Sequence, residues 1–337
     1  MTKRIGSSKI KSVKTLNRSK KRSIAGLIII VTLCIGLKGW NAVSYIDDRF
    51  LPESEEIIRI YNTETKQLMQ ISLESYLVGV VAAEMPVSFH PEALKAQAVA
   101  ARTFTKYRIQ HPNPNVTTLH QDAQITTNTG TCQAWIDDAT QKARWGSQYT
   151  KWREKIIQAV SETAGEVLCY ENMLIEPLYH ASCGGGYTEA AEDVWGNAKP
   201  YLTSVACYHP VDKHSEEKIE LSLAAFSKQM KVPMPQAVLA SFPEQNLFQI
   251  TQRTASNRVK EVRIGEERYS GTVVRSALGL KSTLFECELK NDTLVFTTNG
   301  YGHGVGMCQY GADYYAQLGY DYRQILQHYY PGTCLIK

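Results

Sequence analysis

Glu84 is the residue of this sequence whose type and position most call for a chemical explanation. In LESYLVGVVAAEMP, the apolar residues Leu73, Tyr76, Leu77, Val80 and Val81 recur at steps of three and one, which is the stripe of an amphipathic helix. Glu84 falls on the next position of that stripe, and glutamates are rarely turned toward a core unless paired. Desolvation would raise its pKa. A place in the last helical turn, at the negative end of the helix dipole, acts the same way. Pro86 drives Met85 out of helical geometry, so the helix ends at Glu84. A carboxyl kept protonated near neutral pH is the equipment of a general acid. The competing reading is an ion pair with Lys95 or Arg102 from the next helix, and spacing alone does not choose between the two.

That next helix is expected from Pro91 to about Ile109, with Pro91 at its first position and Glu92 complementing its positive end. Lys95, Arg102 and Lys106 stand seven and four apart and share one side, while Gln97 lies on another. A cationic side there would pair with Glu84 or hold an anionic substrate. Two further stretches are dense in chemistry, YHASCGGGYTEAAEDVW (179–195) and YGHGVGMCQYGA (301–312). Glycines 300, 302, 304 and 306 alternate around His303, which suggests close backbone approach to a ligand or to another part of the chain. No phosphate-loop lysine follows, which disfavours a nucleotide site. Ser182, His303 and Gln309 join Lys95, Gln97 and Arg102 as substrate-binding candidates. His180 and Cys183, three apart, together with Cys132, would supply three metal ligands and leave one position open. No HExxH pattern is present. Buried or disulfide-bonded cysteines are the plainer reading of the same residues.

The elements that must position these groups mix helices with short antiparallel strands without βαβ alternation, so the expected class is α+β. Strands are expected at 57–61 and 67–72, a loop with short strands over 116–135, and a helix within 143–163. Hairpins are expected around Glu171-Asn172 and Asn291-Asp292, with strands at 247–253 and 258–264. Two short helices close the chain, the first stopped by Gly319 and the second capped by Asp321. Residues 212–240, charged and then helical, open a peripheral subdomain at about 212–280.

Of 337 residues, 37 are Lys or Arg and 33 Asp or Glu. Residues 1–22 hold nine of the bases and no acid, leaving 28 bases against 33 acids in the remainder. The body is therefore mildly acidic, unlike a nucleic-acid-binding fold. The uncharged run IAGLIIIVTLCIGL, extended past Lys38 to about residue 46, reads as a membrane anchor at 23–46 behind a cytoplasmic leader. A cleaved signal peptide is the alternative. Either way residues 47–337 are expected outside the membrane, with seven cysteines, an odd number.

VVAAEMP, HPEALKAQAVAARTF, YHASCGGGYTEAAEDVW, PYLTSV, YGHGVGMCQYGA and LGYDYRQILQHYYPG occur in this order and resemble the stage II sporulation protein D family over nearly all of the exported body. The resemblance implies a membrane-anchored lytic transglycosylase of peptidoglycan, acting in forespore engulfment with stage II sporulation proteins P and M. It implies Glu84 as the catalytic acid, with Lys95 and Arg102 in substrate handling. It implies no obligatory cofactor. Some members hold zinc near the active site through His and Cys, for which His120 with Cys132, or His180 with Cys183, would be the ligands here. Many relatives carry Ser where this chain has Cys308. A transglycosylase needs no second carboxylate, because the sugar's own C6 hydroxyl attacks, whereas ordinary glycoside hydrolases use two. A non-catalytic wall-binding or amidase-enhancing module and a zinc hydrolase are the alternatives.

Overall fold

A computed structural model describes residues 56–232 and 247–337. The expected leader at 1–22 and anchor at 23–46 lie outside the described residues. Among those residues, no helix is long and apolar enough to cross a membrane.

The chain enters through an antiparallel hairpin, β1 (Ile57–Asn62) and β2 (Gln67–Ser72), in register from Ile57 opposite Ser72 to Asn62 opposite Gln67. Ser72 then caps α1 (Leu73–Glu84), its hydroxyl accepting from the Ser75 amide. Residues 73–82 of α1 are all buried, so the apolar stripe is part of a helix covered on every side. Met85 follows in extended geometry, as a residue before proline must. The long helix α2 (Pro91–Gln110) has proline at its start and a run of fully buried alanines at 93, 96, 98, 100 and 101. Such small side chains let α2 lie close to its neighbours and make it the axis of the main core.

The remaining elements wrap this pair. Asn113 caps a short helix α3 (Pro114–Leu119), and β3 (Ile125–Thr126) adds parallel to β1. The segment expected as loop from residue 116 therefore begins inside a helix. The HPNPN run does more than stop α2: Pro114, with its fixed φ, takes the first helical position behind the Asn113 cap and starts a new one. The helix expected within 143–163 is α5 (Tyr149–Glu162), and a further helix, α4 (Asp138–Trp145), precedes it, with Gly146 at φ +52° after its end. The hairpin β4 (Val167–Tyr170) and β5 (Met173–Leu174) turns on Glu171 and Asn172, both at positive φ, the mirror-type turn that suits strand twist. Short strands β6 (Tyr179–His180), β7 (Gly186–Tyr187) and β8 (Ala206–Cys207) flank helix α6 (Ala191–Trp195).

A second hydrophobic core forms from β9 (Glu217–Ser222), α7 (Leu223–Met230), β10 (Phe248–Arg253), β11 (Val259–Ile264), β12 (Glu267–Ser270), α8 (Gly271–Leu278), and the hairpin β13 (Phe285–Lys290) and β14 (Thr293–Thr298). Phe226, Phe248 and Phe285 pack around Phe296, the first stacked on it and the other two edge to face. This core reaches Phe296, past the expected limit at about 280, because β14 pairs back onto β9. The chain then returns to the first core through β15 (Met307–Cys308), α9 (Gln309–Gln317), α10 (Tyr322–Tyr329) and β16 (Cys334–Ile336). Gly319 at φ +94° follows α9, and Asp321 with Gln324 forms a capping box for α10. Mixed helices and short strands make the class α+β.

Candidate active site

The end of α1 opens into a cleft of about 270 Å³. Glu84, Met85 and Pro86 form one side, Arg144 and Trp145 another, and Ala181, Lys213, His214, Tyr301, Gln309 and Tyr310 the rest. Among the described residues that line it, Glu84 is the sole carboxylate. Glu84 is half-buried, and its Oε1 accepts the Ala134 amide at 2.7 Å. Burial pushes its pKa up to about 7, against the smaller lowering effect of that amide.

Neither cation weighed as a partner reaches Glu84. Arg102 is fully buried and grips Glu74 with both ends of its guanidinium, Nε to Oε1 at 2.8 Å and Nη2 to Oε2 at 2.6 Å. It also donates to the carbonyls of Val160 and Glu166. This geometry leaves Arg102 as an internal clamp, not a surface for substrate. Lys95 is engaged by Glu92 at 2.7 Å and Glu162 at 2.6 Å, away from the cleft lining.

Gln97 is buried under the cleft rather than exposed in it. Its Oε1 accepts from Gln309 Nε2 at 3.2 Å, so the two glutamines act through one another and Gln309 alone reaches the lining. Nearby, the Tyr179 hydroxyl donates to Gln133 Oε1 at 2.7 Å, and Gln133 Nε2 donates to Thr105 at 3.0 Å. Tyr179 and Tyr76 are held protonated, mainly by burial and with the Glu84 charge adding to it. The amide of Ala134, which holds Glu84, directly follows Gln133, so this buried polar layer positions the carboxyl.

Ser182 is buried and donates to Asp212 Oδ2 at 2.6 Å, which makes it a support for the loop carrying Lys213 and His214. Asp212 Oδ1 accepts the His214 amide at 2.7 Å, so both oxygens of this nearby acid are engaged. His303 lies outside the lining, between His180 and Trp195. Burial, with help from the nearby His180 and the positive Arg275 and Arg258, pushes its pKa down to about 3, so it is neutral. The glycines around it serve close chain crossing: a Cβ on Gly306 would sit 2.0 Å from the Leu178 carbonyl oxygen, and one on Gly304 2.6 Å from Arg258 Cζ.

Sequence reasoning missed the aromatic wall. Tyr301 is 41% exposed, with His214 5.0 Å from its ring and Lys281 Nζ 5.2 Å from its centroid. Tyr310 stands beside His214 and Phe89. Burial holds His214 below the ordinary histidine range. Tyr301 and Tyr310 come from the glycine-rich stretch and the start of α9, while His214 and Lys281 come from segments distant in sequence, so no local spacing joins them.

Cys132, His180 and Cys183 do not form one three-ligand set: His180 interacts with Cys183, but Cys132 joins neither in a cluster of ligand atoms. Among the described residues, the group of three or more metal-ligand atoms within 4.8 Å of one another is Cys183, Cys207, His209 and Cys308. His120 is outside it too, its Nδ1 accepting the Asp122 amide at 3.3 Å. Of the residues expected to hold zinc, only Cys183 belongs to the group that could share an ion; Cys207, His209 and Cys308 complete it. Within that set, thiol donation from Cys207 and Cys308 lowers the Cys183 pKa, while Cys207 and Cys308 are raised. Cys169 and Cys334 face each other across β4 and β16, and Cys132 and Cys287 stand apart.

A lone carboxyl at a helix end, with its pKa raised by burial and set in a cleft with an aromatic wall, has the chemistry a general acid needs. The comparisons with known proteins give the family. The family described as Stage II sporulation protein matches residues 61–170. Stage II sporulation protein D of Bacillus amyloliquefaciens is 38% identical over 286 residues, spanning 84% of this chain and 79% of the relative. The protein of the same name from Bacillus subtilis (strain 168) is 37% identical, spanning 84% and 80%. An amidase enhancer of Bacillus subtilis (strain 168) is 31% identical over 309 residues, spanning 77% of this chain and 40% of the relative. The chain belongs to the stage II sporulation protein D family.

Proposed function

We propose that the protein is a lytic transglycosylase that cleaves MurNAc–GlcNAc linkages in the glycan strands of peptidoglycan, with Glu84 as its acid and base. The observation that carries this reading is Glu84 itself, with its pKa pushed up to about 7 by burial and no cation paired with it among the described residues. Protonated Glu84 donates to the glycosidic oxygen as the bond to C1 of the MurNAc breaks. The C6 hydroxyl of that sugar then attacks C1, and its proton passes to the Glu84 carboxylate. The products are a 1,6-anhydro sugar end and a free GlcNAc hydroxyl, and the enzyme returns to its starting state. A lone carboxylate suffices for this sequence, whereas a hydrolase of the usual kind needs a second. The N-terminal anchor would hold the body on the outer face of the membrane. There it would act in forespore engulfment with stage II sporulation proteins P and M.

The test is digestion of purified peptidoglycan by the full chain and by Glu84→Gln. Loss of glycan cleavage in the variant is expected, and full retention would remove Glu84 from the chemistry. The likeness to an amidase enhancer supports a second reading, a non-catalytic wall-binding module. Stimulation of an amidase by both forms, with glycan left uncut by either, would select it.

A further inference from the structure

Behind the cleft, three thiols and one imidazole converge from three stretches of chain. The ligand atoms of Cys183, Cys207, His209 and Cys308 lie within 4.8 Å of one another, and all four residues are buried. We propose that they form a structural zinc site of the Cys3His type. Three soft thiolates with one imidazole select zinc over the hard divalent ions. Four protein ligands close the coordination sphere, which marks a structural site and not a catalytic one.

The surroundings of each ligand are those of a metal site. His209 Nδ1 lies 2.9 Å from the Pro210 carbonyl oxygen, which can only accept, so Nδ1 carries the proton. Nε2, 3.3 Å from Cys183 Sγ, then offers its lone pair to the cluster. Metal-binding histidines normally have their second nitrogen fixed in this way. Asp212 stands 3.7 Å from the same Nδ1. Cys308 Sγ accepts the amides of Cys183 at 3.2 Å and Gly311 at 3.3 Å, donors that suit a thiolate. Cys207 Sγ lies 3.1 Å from the Tyr329 hydroxyl. A Cβ on Gly311 would meet Cys207 Sγ at 2.4 Å, so glycine there lets the sulfur approach the start of α9. Zinc with three thiolates carries a net charge of −1. Fully buried Arg258, whose Nη2 donates to the Cys183 carbonyl at 2.9 Å, supplies the compensating cation.

The site would brace the catalytic cleft. Ala181 precedes Cys183 by two residues, Lys213 and His214 follow His209 closely, and Gln309 and Tyr310 directly follow Cys308. Zinc would tie together the three segments that build this wall. Binding would release the three thiol protons, so occupancy should fall at acid pH.

The experiment is elemental analysis of the full chain purified with zinc, together with the absorption spectrum of the cobalt-substituted protein. One zinc per chain and the intense bands of tetrahedral thiolate-bound cobalt are expected. Cys308→Ser keeps a preferred helix cap, so it should fold. Its zinc affinity should drop by more than the roughly 10–100-fold that loss of an outer partner costs. His209→Ala should behave alike, and Cys132→Ser should keep its zinc. Folded protein without zinc would overturn the proposal. So would zinc binding unchanged in both ligand variants, loss of zinc in Cys132→Ser, or a disulfide mapped between two of the three cysteines.

Discussion

The two ends of α1 each carry a glutamate, and the fold treats them in opposite ways. Glu74, in the first turn, is buried and locked by the fully buried Arg102. Glu84, in the last turn, is half-buried and takes one amide, with its pKa raised to about 7. Both lose water, but only Glu74 receives a countercharge. A buried carboxylate gripped by a bidentate arginine is a structural ion pair. One without a cation holds its proton near neutrality and can deliver it. The same helix thus carries one clamped carboxylate and one whose proton is held near neutrality.

The sharpest way to break this contrast is Glu84→Gln. It should lower glycan cleavage by about 10²–10⁴-fold, the range for loss of a general acid, with binding of the glycan retained. Arg102→Met should leave Glu74 buried without its partner and destabilise the fold by about 3–5 kcal/mol in denaturant titrations. Adding Glu74→Leu should recover most of that loss, since a buried pair replaced by apolar groups is often neutral. Failure of the double variant to recover would give Arg102 a role beyond the pair.

A third effect concerns pH. The ordinary glutamate value is 4.5 and the folded value of Glu84 is about 7, so the folded state binds this proton more tightly. Its contribution to stability is fully present below pH 4.5 and is lost as pH rises through 7. Glu84→Gln should therefore be more stable than the parent at pH 8, by roughly 1–3 kcal/mol, and should lose that advantage at pH 4. Cleavage should fall as pH rises above about 7. The smallest effect belongs to the wall: Tyr301→Ala should raise KM about fivefold, roughly 1 kcal/mol, with little change in kcat.

A similar contrast separates the two cores. The second is filled by clustered phenylalanines and lines none of the cleft. Its link to the site is indirect, through Arg258 on the Cys183 carbonyl and through Thr254 and Ser256, both donating to Glu189.

Local signals carried well from sequence to structure. Pro86 ends α1, Pro91 opens α2, and the polar turns at Glu171-Asn172 and Asn291-Asp292 fall where the backbone takes positive φ. Glu84 was legible because a charged residue interrupted an apolar period. What failed was long-range pairing. Arg102 finds Glu74 from 28 residues away, and nothing in the spacing favours that partner over Glu84. The four residues of the cysteine cluster span positions 183 to 308, with no CxxC pair to announce them. Tyr301, Lys213 and His214 reach the cleft from separate loops and look unremarkable in isolation.

The most direct measurement is the mass of the products released from purified glycan strands by the full chain. Glu84 acting as both acid and base, with the sugar's own C6 hydroxyl as nucleophile, requires products one water lighter than those of hydrolysis, and none from Glu84→Gln. Products of hydrolytic mass, or anhydro products undiminished in that variant, would contradict it.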